Sequence, residues 1–371
     1  MNNSRFKYVD GLNTIRFISV ILVIIAHWGI YYERGTVQFD AIRAIIPWGK
    51  FGWAFFFVLS GYLISSVLFK ARFEMAEGDS KMSVIKNFFM RRIIRLWPAY
   101  YLLLLILWLL NNNIMNDYPW YFLTHTSNIL AYRMQRPNGL IHLWTLSLQE
   151  QFYLILPWLI MFMNMKVLKY VLYGGIAVGL ISKYYAMFYM GKQFPFLLWQ
   201  SFDSLCLGVL YAYYVYIDKH KQFEKVIKFF LPILMYFGWQ MATRFRGTMF
   251  GVIYERTMWN YMGLAIIIFT INNKNKWLQH YFFENKFMNY FGKISFGIYL
   301  YHFSIGNYFD YHYARFLASH KVPYIFTNFL LIYIVKIAIV LAFSALSYQY
   351  FEAPIIRLKN KFNYLKKRVQ T

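Results

Sequence analysis

Arg16 and His27 stand eleven residues apart in the stretch TIRFISVILVIIAHWG (Thr14–Gly29), which is otherwise almost wholly apolar. On a helix, eleven steps of 100° overshoot three full turns by about 20°. The two side chains therefore share one face, separated by about 16 Å of rise. An ionisable side chain at the middle of a spanning helix costs about 2.5–3.5 kcal/mol. Two of them on one face point to a polar cavity running through a helical bundle. The plainer account has Arg16 snorkelling to the headgroups and His27 bonding a neighbouring helix.

Four further stretches carry polar groups in similar settings. FFFVLSGYLI (Phe55–Ile64) places Ser60 and Gly61 at mid-membrane depth, where small residues serve as packing devices or as part of a site. FFMRRIIRLWPAYYLLL puts Arg91, Arg92 and Arg95 at one end of an apolar run. Arg91 and Arg95, four apart, share a face. The three arginines fit either membrane anchoring or a site for a multiply anionic ligand, since guanidinium grips phosphate bidentately. In HLWTLSLQEQFYLILP, His142 and Gln149 are seven apart and stack on one face, with Glu150 turned about 100° away. A carboxylate so close to the membrane needs a partner. In GKISFGIYLYHFSI, Ser295, Tyr299 and His302 fall at i, i+4 and i+7, a polar stripe on an apolar helix, suited to a site or to interhelical hydrogen bonds.

The elements that must position these groups are membrane helices. The chain has 371 residues, of which 59% are hydrophobic and 15% charged, whereas soluble domains average nearer 45–50% apolar. Apolar runs recur from end to end and predict an all-α, polytopic bundle of about ten spans: residues 10–31, 48–69, 92–110, 143–163, 167–187, 197–217, 229–243, 256–271, 290–308 and 323–350. The stretch 111–142, rich in aromatics and Asn, is expected to lie in the interface or to dip into the membrane. The formal charge of +24 sits in clusters between apolar runs, which argues for membrane topology and against nucleic acid. With an even number of spans and the N-terminus inside, the inner segments hold 25 Lys and Arg and the outer segments 12. Both termini are thus expected in the cytoplasm. The single cysteine, Cys206, excludes an intramolecular disulfide and a cysteine metal site, and no metal is expected. Arg5 and Lys7 before Phe17–Ala26 resemble a signal peptide, but Asp10 and Arg16 interrupt it and Ala26, His27 and Trp28 make a poor cleavage site. No internal repeat of the transporter kind is visible.

Taken together these stretches resemble the acyltransferase-3 family of bacterial membrane acyltransferases. The resemblance runs from DGLNTIRFISVILVIIAH through FFFVLSGYLI, FFMRRIIRLWPAYY, HLWTLSLQEQFYLILP, SFDSLCLGVL and GKISFGIYLYHF to SYQYFEAP, in the family's order, and covers Asp10 to Pro354. It implies an integral O-acyltransferase of the bacterial cytoplasmic membrane. Such a protein passes acetyl or similar groups from cytoplasmic acyl-CoA to sugars of surface polysaccharides or their lipid-linked precursors. The family's Arg-x10-His signature falls on Arg16 and His27. Three departures stand out. Asn13 follows Asp-Gly-Leu where the family arginine is usual, with Arg16 keeping the spacing to His27. Ala54 replaces an acidic or polar residue. Gln149 replaces the usual first glutamate, leaving Glu150 beside it. Some members carry a periplasmic hydrolase-like domain after the last span. With the chain ending at 371, residues 1–371 are expected to form one membrane-embedded domain without it.

The resemblance assigns roles to residues. His27, Arg16 and Glu150 become the catalytic candidates. His27 would act as general base on a sugar hydroxyl, help worth about 10²–10⁴-fold. Arg91, Arg92 and Arg95 would hold the phosphates of acyl-CoA, the co-substrate. His142, Trp144, Gln149, Tyr299 and His302 would face the glycan acceptor. Ser60, Gly61 and Glu352 would support the site, Glu352 by pairing with Arg91 or Arg95. The expected partners are acyl-CoA, a glycan or lipid-linked glycan, and membrane lipids. A transporter or flippase of lipid-linked glycan would also explain a polar cavity, without chemistry. A structural subunit of an export complex would leave Arg16 and His27 unexplained.

Overall fold

A computed structural model of the protein describes residues 9–29, 37–76, 79–135, 140–191, 196–244, 248–319 and 329–364. All ten apolar segments expected from hydropathy fall on helices: α1 (Gly11–Gly29), α2 (Val37–Glu74), α3 (Lys81–Leu109), α4 (Trp144–Phe162), α5 (Met165–Phe188), α6 (Phe202–Tyr216), α7 (His220–Arg244), α8 (Met249–Asn272), α9 (Ser295–Ser319) and α10 (Phe329–Ser347). Among the described residues, five stretches are long and apolar enough to cross a membrane: Gly11–Trp28, Gly49–Glu74, Lys81–Leu109, Met165–Phe188 and Leu330–Lys361. The remaining five helices are shorter, like α6 with 15 residues, or interleave their apolar residues with Gln, Tyr and charged groups, like α4 and α8.

Local chemistry sets several boundaries. Ser80 caps α3 by accepting from the Ser83 amide, and Asn164 caps α5 by accepting from the Lys166 amide. Both satisfy amides that a first helical turn leaves unpaired. Two glycines set a close crossing in the bundle. A Cβ on Gly61 of α2 would overlap the carbonyl oxygen of Leu205, and one on Gly208 of α6 would overlap that of Val58. The backbones of α2 and α6 touch there, which is how helices associate where no hydrophobic gradient drives them. Gly61 is thus a packing residue.

The stretch after α3 folds as three short helices, Asn113–Asp117, Pro119–Leu123 and Ser127–Met134. It turns back into the bundle. Tyr100 and Tyr101 of α3 donate to the carbonyls of Phe122 and Leu123, each at 2.9 Å. Tyr100 lies nine residues before the end of α3, so the segment descends about 13 Å. Gln151 of α4 fixes it, donating to the His125 carbonyl at 3.0 Å and to Asn128 Oδ1 at 2.8 Å, while Asn128 Nδ2 donates back at 3.3 Å. The described part of the stretch therefore packs back against α3 and α4.

Three apolar cores meet at the centre. One joins α1, α2, α4, α5, α6 and α8 around Phe55, Leu148 and Leu205. A second joins α3, the short helices after it and α9 around Tyr100, Phe122 and Leu300. A third joins α1, α9 and α10 around Ile24, Ile298 and Val340. On the far side of the first core, Lys183 of α5 pairs with Asp203 of α6 at 2.6 Å, and Asn260 of α8 donates to the same carboxylate at 2.9 Å.

Candidate active site

A cavity of about 510 Å³ lies where the three cores meet. Along α2 it is lined by Trp53, Phe56, Phe57, Ser60, Leu63, Ile64 and Val67. Those positions recur every three or four residues over fourteen positions, so α2 presents one face to the cavity for about 21 Å. The two ends of this space differ in chemistry. Arg92 and Arg95 of α3, Lys359 and Glu352 beyond α10, and Arg16 and Lys293 supply charge at one end. Trp53, Thr145, Leu146 and Tyr299 close the other. Glu150 and Gln149 of α4 line the wall between.

The charged groups are held by recognisable devices. Arg16 donates to Asn13 Oδ1 at 3.1 Å, and Asn13 donates to Asn289 Oδ1 at 3.3 Å. Asn13 thus orients the arginine one turn on. Arg92 stacks over the Tyr153 ring at 4.9 Å, a cation–π contact that leaves its fork of donors available. After α10 the helix widens into a π-helical turn, Tyr348–Glu352. Such turns re-aim side chains and recur at functional sites. Here both Tyr348 and Glu352 reach the cavity wall, and Glu352, 5% exposed, accepts from Ser347 at 3.2 Å and interacts electrostatically with Arg95.

Three histidines cluster just past the aromatic end. His27 Nδ1 and His302 Nε2 are 2.9 Å apart, with ring centroids 5.1 Å apart and ring planes within 12° of each other. His142 meets His302 edge-on at 5.0 Å and stacks on Phe303 at 5.2 Å and 4°. Tyr299 joins this cluster to the cavity. It lines the cavity, its hydroxyl donates to the His142 carbonyl at 2.8 Å and lies 2.8 Å from Thr145 Oγ1, and its ring packs on His302. Of the Arg16 and His27 face of α1, Arg16 lines the cavity and His27 does not; it lies against His302, beyond Tyr299.

The structure brings Arg16, Ser60, Arg92, Arg95, Gln149, Glu150, Tyr299 and Glu352 together on the cavity. His27, His142 and His302 form the adjoining cluster. Trp144 backs the wall, packing on Trp53 and Phe57 at 6.3 and 5.9 Å. Arg91 does not face the cavity. It donates to the carbonyls of Lys359 and Phe362, at 3.3 and 3.0 Å, and stacks on Tyr364. The expected pairing of Glu352 with an arginine therefore concerns Arg95, not Arg91. Sequence reasoning missed Lys293, Lys359, Tyr153 and His125, all on the cavity. In the sequence, Lys293 and Lys359 are two among many basic residues between apolar runs, with nothing to set them apart. His125 sits among the short helices after α3, where no periodicity marks a face.

Apolar helices thus surround a cavity that is cationic at one end and aromatic at the other. The acyltransferase-3 family model, described as Acyltransferase domain, matches residues 9–349. The chain belongs to that family. Among relatives, a Staphylococcus aureus (strain COL) protein named, by inference, an O-acetyltransferase is 25% identical over 382 residues, covering 94% of this chain and 58% of that protein. The peptidoglycan O-acetyltransferase of Listeria monocytogenes is 30% identical over 195 residues, covering 47% of this chain and 28% of that protein. A Bacillus subtilis protein named, by inference, a peptidoglycan O-acetyltransferase is 30% identical over 167 residues, covering 41% and 23%. The chain thus spans well under two thirds of the length of these relatives. No solved structure matches it.

Proposed function

We propose that the protein is a membrane O-acetyltransferase that moves an acetyl group from cytoplasmic acetyl-CoA to a hydroxyl of a cell-surface glycan or its lipid-linked precursor. The observation that carries this reading is the polarity of the cavity. Five basic side chains crowd its charged end, against two carboxylates, and its apolar shaft ends at Tyr299, against the His27 and His302 pair. Acetyl-CoA has the same polarity: a phosphate-rich nucleotide, a flexible arm, and a thioester at the tip. Arg92, Arg95, Lys293 and Lys359 hold the phosphates by charge-assisted hydrogen bonds. The arm lies along the α2 face.

The reaction needs a hydroxyl made nucleophilic in a place that excludes water. His27 takes the hydroxyl proton as the oxygen attacks the thioester carbonyl. The carbon–sulfur bond then breaks, and the proton passes from His27 to the departing sulfur, giving an ester and free CoA thiol. Thr145 and Tyr299 stand between the cavity and His27, so their side chains must part for the thioester to reach it. The likeness to peptidoglycan O-acetyltransferases supports a carbohydrate acceptor. The 25-to-12 charge asymmetry supports a cytoplasmic placing of the residue 70–95 end, on the acyl-CoA side.

The test is release of CoA thiol by the purified protein in nanodiscs, with glycan fragments as acceptors. A transporter or flippase would bind a ligand without releasing thiol.

A further inference from the structure

The histidine pair extends the acyltransferase reading and rests on it. His302 Nδ1 lies 2.6 Å from the carbonyl oxygen of Tyr299. A carbonyl oxygen only accepts, so that nitrogen carries a proton. A neutral imidazole then presents a lone pair at its other nitrogen, Nε2, and this is the atom 2.9 Å from His27 Nδ1. His27 must donate there, from Nδ1. Its own Nε2 is left with a lone pair and no proton. The alternative is a doubly protonated His302 donating to His27. That would place a full charge on a ring with 0% exposure, a costly arrangement away from water.

We propose that His302 is a positioning residue that locks His27 in the Nδ1-protonated tautomer, so that His27 Nε2 is the base for the acceptor hydroxyl. A base whose wrong nitrogen carries the proton cannot accept one. In serine hydrolases a buried carboxylate fixes the tautomer of the catalytic histidine. Here the backbone carbonyl of Tyr299 does so at one remove, through His302.

The frame around the pair is built to hold this contact. Trp28, next to His27 on α1, donates its indole N–H to the His302 carbonyl at 3.3 Å. One turn further along α9, a Cβ on Gly306 would overlap that indole, so only glycine lets Trp28 in. Lys336 of α10 lies over the Trp28 ring at 4.5 Å and is itself held by Asp310 of α9 at 2.7 Å. The α1–α9 register is thus pinned beside the histidine bond. His142 takes no part in it: its Nε2 faces the Leu300 carbonyl at 3.3 Å, and its Nδ1 is buried without a partner among the described residues.

The test is nitrogen-15 magnetic resonance of histidine-labelled protein in nanodiscs, with the His27 signals assigned by their loss in His27→Ala. Wild type should show the His27 proton on Nδ1 and an unprotonated Nε2. His302→Phe keeps a flat ring but removes the acceptor, and should shift His27 toward the Nε2-protonated or mixed form. It should lower kcat by about tenfold or more, with KM for acetyl-CoA little changed, as expected when a base is mispositioned. His302→Gln can both accept from His27 and donate to Tyr299, and should restore much of the tautomer and the rate. A wild-type His27 that is protonated on Nε2, or unaltered in His302→Phe, overturns the lock whatever the activity. A protein with the expected tautomer that releases no CoA from acetyl-CoA overturns the acyltransferase reading instead. If His302→Phe fails to fold, the wild-type spectrum and His302→Gln still decide.

Discussion

At the scale of single residues, the site divides its basic groups by task. Arg95 lines the cavity beside Glu352, whereas Arg91, four positions earlier on α3, spends its donors on the carbonyls of Lys359 and Phe362. Arg95→Ala should therefore raise KM for acetyl-CoA about tenfold or more, the scale of a lost charge-assisted hydrogen bond, with little change in kcat. Arg91→Ala should lower thermal stability and leave KM in the surviving protein near wild type. A steady-state titration of acetyl-CoA with each variant, beside a melting curve, separates the two. Equal effects on KM would mean that both arginines reach the phosphates. The sequence marked these arginines as a group because type and spacing are visible there. It did not distinguish them, because the carbonyls that occupy Arg91 come from a tail some 270 residues away. The Arg16 and His27 pair was legible, since helical geometry alone puts both on one face. The partnership of His27 with His302 was not: the two nitrogens meet only through the packing of α1 on α9.

At the scale of elements, the crossing of α2 and α6 at Gly61 and Gly208 carries the α2 face that lines the cavity. Gly208→Ala should push the helices apart and destabilise the protein by about 1–3 kcal/mol, the usual cost of overpacking. A shift to lower melting temperature in nanodiscs would report it. An unshifted melting temperature would mean that the two backbones can separate at no cost. The buried Lys183 and Asp203 pair is a second fastening, between α5 and α6. Lys183→Met removes the closest cation from a buried carboxylate that Asn260 still holds, and should lower the melting temperature and the yield of folded protein without altering KM in what remains. Hydropathy located the long helices because apolar length is what a membrane selects, and five of the ten expected segments hold a described stretch long and apolar enough to cross one. It left 111–142 open because a segment of short helices is neither long enough to span nor polar enough to be a loop. Its place is set by tertiary bonds from Tyr100, Tyr101 and Gln151, which no local pattern announces.

At the scale of the whole molecule, the proposed activity requires the cavity to open its charged end to the compartment that holds acetyl-CoA. Cysteine or tag reporters at Asp79 and at Gln135 should map to opposite sides, Asp79 to the cytoplasm, in line with the excess of Lys and Arg in residues 70–95. The same side for both would break the link between the cationic end and the cytoplasmic donor. The central claim is that this family member transfers an acyl group with His27 as its base. The most direct measurement is thiol release by purified wild type and His27→Ala in nanodiscs, with labelled acetyl-CoA, a glycan acceptor, and mass spectrometry of the product. Acceptor-dependent release with an acetylated glycan in wild type, and loss of both in a folded His27→Ala protein that still binds acetyl-CoA, is the result expected. A folded His27→Ala protein that acetylates the glycan at the wild-type rate would contradict it.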